Sequence, residues 1–437
     1  MKKYLYYTAV FNAGMAARTF GYCMIFLFFS AQVSAFEIPE RRRDQYSYDF
    51  GYYLYPIAGD VPGLGTAAGA GATVINIDDT DTDFTAFKID GDFSATGVAL
   101  LNYHAIEKRL ILDAGYYDYD VAPINYRRGI DSDPDDYILP RANGSYLIGQ
   151  ITLTYDERRI ETYYRLLSGT QQLTEVRDKD GVAFSSIDNT TYDAQSQALG
   201  LSLDYTDDNL DPRNGLRFEM VAKLPKIDDP LSSKFFTLDY NLTGYIPFRK
   251  NDTLVYNFFL SNAYVTKKGV TDYATLKAED GLECATIPPG PEQDSCLKTE
   301  DDYINERILA NEYGTATALG GTQRLRSFSN GRYYSSNALS YGLEYRWNLT
   351  DERTPFDLII AKGIRTGIQL AAFYESGTVS DKSSELFSNH RHSYGVGLRL
   401  VLEGLIIRAD YGRGNEGNEF QLFLDYPWSL YSVDNPG

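Results

Sequence analysis

Large apolar residues alternate with small or polar residues along much of the chain. In the segment 338–347, leucine, tyrosine and tryptophan alternate with alanine, serine, glycine, glutamate and arginine. The segments 198–205 and 236–243 show the same alternation. A period of two predicts strands that present one apolar face and one polar face. The pattern therefore predicts an all-β fold.

The length of these segments distinguishes a membrane barrel from a soluble β-protein. Strands in globular proteins average about five or six residues, whereas a tilted strand that crosses a membrane needs about nine to eleven. The alternating segments reach the longer range. Strands cross a membrane only as a closed barrel, because no backbone group can face lipid unpaired. We predict a transmembrane antiparallel β-barrel with its apolar faces outward and its polar faces inward.

The alternation predicts about sixteen strands, with fourteen as the alternative. They are 45–57, 66–77, 84–93, 96–104, 108–119, 144–156, 158–168, 197–206, 215–224, 234–247, 253–266, 338–348, 366–376, 393–402, 404–411 and 419–428. From the third hairpin onward, long connections at 120–143, 169–196, 267–337 and 377–392 alternate with short ones. Bacterial barrels have long extracellular loops and short periplasmic turns, so we expect both ends in the periplasm. The connection 349–365 is long for a periplasmic turn.

The first 35 residues have the character of a secretory signal peptide. They contain three basic residues and no acidic ones, then an apolar run at 22–29 and small residues ending at Ala35. These are the marks of a cleaved signal, with Met15 as an alternative start. We expect 1–35 to be removed, 36–44 to be a short periplasmic segment, 45–428 to form the barrel and 429–437 to be a C-terminal tail. The expected location is the outer membrane of a Gram-negative bacterium, in contact with lipopolysaccharide and phospholipid.

Composition and charge narrow the function classes. The chain has 37 Tyr and 23 Phe, which suit a water–lipid boundary, although a soluble all-β protein is also rich in aromatics. Its net charge of −19 becomes −22 once the three basic residues of the signal are lost. So acidic a protein has no electrostatic footprint for nucleic acid, and we expect none to bind.

Cysteine and histidine positions indicate a structural bond and no cofactor. Cys284 and Cys296 lie in a polar stretch, and an even pair in a secreted chain predicts a loop disulfide. His390 and His392 lie together in a loop. A pair of solvated histidines is a simpler interpretation of them than a metal site. A barrel lipase would need a serine and a histidine that face each other, and the sequence shows no such pair. We therefore expect no metal, no cofactor and no enzymatic activity.

A short motif in the connection 267–337 carries a family resemblance. Gly320-Gly321 is followed by Leu325-Arg326-Ser327-Phe328. This resembles the outer-membrane assembly and translocation barrels of the BamA and TamA type, the bacterial surface antigen family. That family carries a Gly-Gly pair and a Val-Arg-Gly-Phe/Tyr tetrapeptide in its sixth extracellular loop. The resemblance implies that this loop folds back into the lumen.

The same resemblance implies an acidic partner for Arg326. The family arginine meets an acidic residue in a Phe-x-Asp-x-Gly pattern, and this chain has Phe373-Tyr374-Glu375-Ser376-Gly377. The alternation agrees, because the apolar residues of this strand fall on the other face and Glu375 must point inward. We expect Arg326 to pair with Glu375, since an unpaired buried charge is costly and the arginine fork suits a carboxylate. The alternative is a solvated loop arginine. Ser327, in place of the motif glycine, departs from the family pattern.

The predicted C-terminal strand also resembles the terminal strand of the family. Its residues are Phe420, Leu422, Leu424, Tyr426 and Trp428. The family carries periplasmic POTRA domains, for which 36–44 is too short, so we expect none there. The resemblance implies assistance in inserting or translocating proteins or lipids through a seam between the first and last strands. Partners would be client outer-membrane proteins or a separate periplasmic protein. The alternative is a passive pore or a structural barrel.

Overall fold

The computed structural model describes residues 37–46, 49–61, 63–179, 181, 191–249, 251–282, 284–351, 356–402 and 405–430. The chain divides into two compact units between Pro39 and Glu40, and every strand and helix given below lies in the second. The predicted signal peptide, and residues 431–437 of the predicted tail, lie outside the described residues.

Sixteen antiparallel strands form a closed β-barrel. They are β1 (Gly51–Val61), β2 (Gly65–Ile77), β3 (Thr82–Gly91), β4 (Ser94–Ile106), β5 (Leu110–Val121), β6 (Tyr137–Tyr155), β7 (Ile160–Asp178), β8 (Thr191–Thr206), β9 (Gly215–Pro225), β10 (Lys234–Phe248), β11 (Asp252–Lys267), β12 (Asn337–Asp351), β13 (Thr366–Ser380), β14 (Arg391–Leu402), β15 (Leu405–Gly414) and β16 (Gly417–Leu424). Three short strands lie in the connections, at Asn125–Tyr126, Phe356–Leu358 and Ala361–Ile364. The predicted all-β barrel and its strand number are confirmed.

Several predicted strand limits were wrong. β6 and β7 are 19 residues long and pair from Ile138–Asp178 to Tyr155–Ile160, so strand extends well into the predicted loops 120–143 and 169–196. Above the membrane both faces of a strand can be polar, and alternation no longer marks where the strand ends. The backbone pairing between β6 and β7 continues beyond the membrane-facing part, where neither face of the strands needs to be apolar.

The predicted first strand began too early. Residues 45 and 46 belong to a segment held by the turns at the predicted periplasmic end, because Gln45 accepts a 2.7 Å hydrogen bond from the Asn209 backbone. The Tyr46 hydroxyl lies 3.2 Å from Thr154 Oγ1, and β1 begins at Gly51. The alternation of these residues resembles that of a strand, but their side chains form hydrogen bonds with the turns at the end of the barrel.

The outward face of the barrel is apolar. Leu147, Ile151 and Leu153 alternate on β6 and expose 60%, 49% and 42% of their surface, and Leu199 and Val396 expose 54% and 58%. An exposed apolar band of this kind requires a non-aqueous surrounding. Within the described residues, neither helix of the chain combines the length and the apolar character that a membrane-spanning helix requires.

The long connection between β11 and β12 is the main elaboration of the barrel. It contains α1 (Tyr273–Asp280), a 3-10 turn at Cys284–Thr286 and α2 (Pro291–Tyr313). Cys284 and Cys296 are joined by a disulfide bond, with their Cα atoms 5.6 Å apart. The bond ties the 3-10 turn to the first turns of α2, and it packs against Val176 of β7. It therefore links the helical loop to the extension of the barrel wall.

The expectation of a uniformly polar lumen was wrong for the first strands. Tyr53, Tyr55 and Ile75 are buried on the inward faces of β1 and β2. Tyr117 on β5 and Tyr146 on β6 stack in the lumen with ring centroids 5.3 Å apart. Alternation alone misassigned this wall, because tyrosine on an inward face and leucine on an outward face both count as apolar in the pattern.

Candidate functional site

The tip of the long loop enters the lumen as a tight turn. Gly320 and Gly321 have φ values of 103° and 104°, which favour glycine, and a Cβ on Gly320 would lie 2.3 Å from the Ser329 carbonyl oxygen. The Gly321 N–H donates to the Phe328 carbonyl at 2.9 Å, and Leu319 and Tyr333 exchange backbone hydrogen bonds above it. Arg326 is thereby placed at the lowest part of the loop with no solvent exposure.

Arg326 contacts three carboxylates on three strands. Its Nε lies 3.0 Å from Glu375 Oε1, and its backbone N–H donates to Glu375 Oε2 at 2.8 Å. Its Nη1 lies 3.0 Å from Glu344 Oε2 and 2.7 Å from Asp410 Oδ2. The guanidinium also stacks 3.6 Å from the centre of the Phe373 ring. The structure thus brings Arg326 and Glu375 together, and the Arg326 side-chain fork is shared among three carboxylates.

Three further arginines surround the same carboxylates. Arg399 Nη2 and Arg346 Nε lie 2.8 Å from Glu344, and Arg408 Nη1 lies 3.3 Å from Asp410. Four guanidinium groups therefore face three carboxylates, and all are buried. Buried ions are tolerated only when they are paired and hydrogen-bonded, so this cluster fixes the loop in one position. We call these seven residues the lumenal cluster: Arg326, Arg346, Arg399, Arg408, Glu344, Glu375 and Asp410.

Ser327 fits where the family motif has glycine. The left-handed backbone of the tetrapeptide falls on Leu325, with φ 53°, and the Ser327 N–H donates to Ser393 Oγ at 3.0 Å. Space for the serine comes from the barrel wall, because a Cβ on Gly414 would lie 2.3 Å from Ser327 Oγ. Gly412 likewise faces the Arg326 carbonyl, at 3.1 Å from an added Cβ. These strand glycines accommodate the loop tip.

The C-terminal strand differs from its prediction. β16 ends at Leu424, and positive φ values at Asp425 (81°) and Trp428 (71°) turn the chain into the lumen. Phe420, Leu422 and Leu424 stay on the strand, with Phe420 47% exposed on the outward face. Tyr426 and Trp428 were therefore wrongly assigned to it. The proline between them, which lacks an N–H donor, was the available signal for this break.

The inward turn ties the chain end to the loop tip and to the periplasmic rim. Trp428 Nε1 donates to Glu375 Oε1 at 2.8 Å, beside the Arg326 contact. The Tyr426 hydroxyl donates to Asp211 Oδ1 at 2.7 Å. Burial acts to raise the pKa of the Asp211 carboxyl, but the nearby guanidinium groups of Arg213 and Arg42, with the Tyr426 hydroxyl, hold it well below its ordinary value. Tyr426 and Trp428 thus stabilise the lumenal side of the closure.

The closure between β1 and β16 is short. Among the described residues these strands share a single paired position, Asp60 with Leu422. β3 and β4, by comparison, share seven, from Asp83–Leu101 to Ile89–Ala95. β16 ends while β1 continues toward the periplasm, which leaves part of the β1 edge without its neighbour.

A short hairpin at the predicted periplasmic end covers part of that edge. Its two strands, Phe356–Leu358 and Ala361–Ile364, come from the connection between β12 and β13. Lys362 pairs with Tyr52 and Ala361 with Tyr53, and the Leu54 N–H donates to the Ile360 carbonyl at 2.8 Å. Its tip is apolar and open, with Ile359 93% exposed. We call this element (356–364) the seam hairpin. It explains why the connection 349–365 is long.

Arginines also join the extracellular loops to one another. Arg332 of the long loop lies 2.8 Å from Glu416 in the β15–β16 turn and donates to Ser132 Oγ at 2.7 Å. Arg128 donates to the Gly314 carbonyl at 2.8 Å and pairs with Asp381. The loops after β5, β11, β13 and β15 are connected by these contacts across the extracellular end.

Comparison with known proteins finds similar solved structures but no similar sequence. No protein-family profile and no curated protein matches the chain. BamA from Haemophilus ducreyi lacking POTRA domains 1–3 is similar with a TM-score of 0.47 and 12% identity, over 88% of this chain and 70% of that chain. CdiB from Acinetobacter baumannii has a TM-score of 0.47 and 12% identity, over 86% of this chain and 60% of that chain. CdiB from Escherichia coli has a TM-score of 0.48 and 9% identity, over 86% and 62%. The closed sixteen-stranded antiparallel barrel with its apolar outer face is itself the fold of an outer-membrane β-barrel.

Proposed function

We propose that this barrel assists the insertion or translocation of proteins or lipids at the outer membrane of a Gram-negative bacterium, through its β1–β16 seam. The observation that carries the proposal is the single paired position between these strands. A strand edge without its partner presents free backbone donors and acceptors, and such an edge can accept another strand by β-augmentation. No covalent chemistry is needed for this activity.

The seam hairpin supports this proposal because it already uses the β1 edge. Ala361 and Lys362 add a short strand to β1 where β16 has ended. A client strand that entered here would replace the hairpin with a similar set of backbone hydrogen bonds, so the exchange would cost little free energy. The clients in this proposal are nascent outer-membrane proteins, or lipids that pass along the opened edge.

The lumenal cluster supports the proposal in a different way. It holds the loop tip against β12, β13 and β15, so the wall beside the seam remains rigid while the seam itself is weakly paired. A barrel needs such a fixed part if only one strand pair is to open. A separate periplasmic partner could deliver clients to the open edge.

A disulfide across the seam tests the proposal. Asp60→Cys with Leu422→Cys places two thiols at the paired position, and Ala86→Cys with Val98→Cys is the matched control between β3 and β4. We expect oxidation of the seam pair to lower the amounts of other outer-membrane proteins, and the control pair to leave them unchanged. A fully locked seam with normal growth and normal outer-membrane composition would refute gating.

The passive pore makes a different prediction. A solute that crosses the lumen must pass the contacts of Arg128 and Arg332 at the extracellular end as well as the loop tip. Deleting the gene should then change solute permeability and leave other barrel proteins at normal levels. Under our proposal the deletion should lower the levels of other barrel proteins, which separates the two functions.

A further inference from the structure

The lumen contains a large cavity that the loop tip does not fill. It has a volume of about 1060 Å³, lies along the inner wall of β1 to β10, and reaches Tyr426 and Trp428 beside the lumenal cluster. Its size is just above the usual range of small-molecule sites, which are about 300–1,000 Å³ and mostly apolar. The cavity is therefore large enough to hold a small-molecule ligand, and its lining is mostly apolar, as in such sites.

The extracellular half of this cavity is aromatic. Tyr55 of β1, Phe87 of β3, and Tyr117 and Tyr146 on β5 and β6 line it. The Phe87 and Tyr117 ring centroids are 6.1 Å apart, and those of Tyr117 and Tyr146 are 5.3 Å apart. Gly97 provides the space for Phe87, since an added Cβ would lie 2.4 Å from the ring. The rings of Phe87, Tyr117 and Tyr146 form a row of contacts that faces the lumen and is only partly buried, and Tyr55 on β1 is buried.

The periplasmic half of the cavity is polar. Asn102 Nδ2 donates to Asp83 Oδ2 at 2.8 Å, and the Asn102 N–H donates to Asp113 Oδ1 at 2.8 Å. Arg165 Nε donates to Gln150 Oε1 at 3.0 Å on the neighbouring strands. The cavity thus has an apolar half and a half that is lined by hydrogen-bonding groups. An amphiphile has the same division into an apolar chain and a polar head.

The cavity also reaches the seam. Its lining includes Leu422 and Leu424 of β16, which lie on the same face as the exposed Phe420. Tyr53 and Tyr55 of β1 pack with Ile364 of the seam hairpin. The cavity is therefore continuous, between weakly paired strands, with the part of the surface that faces the membrane.

We propose that this cavity binds the acyl chain of a membrane amphiphile, with the chain on the aromatic wall and the polar head at the periplasmic floor. Aromatic surface in water is unfavourable, and an acyl chain removes it from water without requiring specific hydrogen bonds. The seam places membrane lipid next to the cavity. This site goes beyond the proposed assembly function, because the barrel can bind an amphiphile whether or not it assists any client.

Two tryptophan reporters on one strand test the proposal. In a Trp347→Phe background, Phe87→Trp places a fluorophore in the cavity, and Phe84→Trp places one on the outward face, where Phe84 is 41% exposed. Each protein is reconstituted in phosphatidylcholine vesicles with or without brominated acyl chains, and the Trp347→Phe parent gives the signal of Trp428 for subtraction. Bromine quenches tryptophan fluorescence only at short range.

We expect brominated vesicles to quench the outward reporter fully and the Phe87→Trp reporter to at least half that extent. Unchanged fluorescence of Phe87→Trp in brominated vesicles would overturn the proposal, because the cavity would then hold water. In a second arm, brominated fatty acid is added to plain vesicles. Saturable quenching there identifies a free fatty acid as an occupant, and quenching in the first arm alone identifies bilayer phospholipid; quenching in neither refutes the site.

Filling the cavity provides the matched control. Ala99→Phe projects into the lumen from β4, where Ala99 is 4% exposed, and Ala86→Phe projects outward from the adjacent strand. We expect Ala99→Phe to reduce quenching of the Phe87→Trp reporter at least fivefold and Ala86→Phe to leave it unchanged. Ala95→Phe, further along the inward face of β4, replaces Ala99→Phe if that variant does not fold. Equal quenching in all these proteins would show that the signal does not come from the cavity.

Discussion

Arg326 is held in place by three carboxylates and by the aromatic ring of Phe373. Its guanidinium is fully buried, and contacts with Glu344, Glu375 and Asp410 replace the water that it loses. The Phe373 ring covers one face of the group. Removing one member of such a buried set leaves the others uncompensated, at a cost of about 3–5 kcal/mol. The cluster is therefore better understood as a position lock for the loop than as a general source of stability.

We predict that Arg326→Lys weakens the lock although it keeps the charge. An ammonium group cannot reach three carboxylates in the geometry of the planar fork, and a lost hydrogen bond to a charged group costs about 1.5–3 kcal/mol. The unfolding temperature in detergent should fall and the loop should become protease-sensitive. Arg391→Lys is the matched control, because Arg391 pairs with the exposed Asp131. Equal behaviour of the two variants would make Arg326 an ordinary loop arginine.

The charge swap has a distinct expected result. Arg326→Glu with Glu375→Arg restores one pair, but the new carboxylate would still lie near Glu344 and Asp410. We therefore expect the double variant to recover only part of the stability that Arg326→Glu loses. Full recovery would indicate an isolated pair and would contradict the shared cluster.

The elements of the barrel were largely readable from the sequence, and the exceptions have physical causes. Alternation predicts β9 and β10 nearly to the residue, since one face meets lipid and the other the lumen. α2 was missed because its surface is polar all round, although Pro291 at its start and Gly314 at its end were helix signals. The Arg326 contact needed the family resemblance, since strand periodicity places Glu375 inward but cannot bring a loop to it. The seam hairpin could not be predicted, because its partner β1 lies about 300 residues away.

The disulfide gives a prediction for the extracellular loop. Cys284 and Cys296 are bonded to each other, so neither has a free thiol that could react with a membrane-impermeant maleimide before reduction. Replacing both by serine should destabilise the loop locally by about 3 kcal/mol in the chain-entropy model, and leave barrel unfolding unchanged. Protease digestion of the loop measures the first effect and detergent unfolding the second. Labelling of unreduced protein would contradict the bond.

The seam hairpin gives a prediction about register. Tyr52→Cys with Lys362→Cys should form a disulfide readily, because these residues are paired. Tyr52→Cys with Ala361→Cys is the control, since adjacent residues of a strand point to opposite faces. The yield, measured by mobility on non-reducing gels, should be high for the first pair and low for the second. Equal yields would mean that the hairpin does not hold this register on β1.

At the scale of the whole molecule, the barrel is asymmetric. Buried ion pairs and the loop tip fill the lumen beside β12 to β15, whereas aromatic residues line β1 to β6 and the cavity extends along β1 to β10. Pairing between strands follows the same division, being continuous around the wall and minimal at β1–β16. The rigid side and the weak side therefore lie next to each other, which is the arrangement expected if one strand pair opens while the rest of the barrel remains closed.

This asymmetry predicts where the molecule opens first. Local opening costs least where few backbone hydrogen bonds must break, and amide hydrogen exchange reports that cost. In lipid nanodiscs we expect the amides of β1 and β16 to exchange at least tenfold faster than those of β6 and β7, which pair along most of their 19 residues. The seam disulfide Asp60→Cys with Leu422→Cys should slow exchange in β1 and β16 and leave β6 and β7 unchanged. Uniformly slow exchange in all four strands would mean that one paired position, with the hairpin and the inward turn of Trp428, already closes the barrel as firmly as a full ladder.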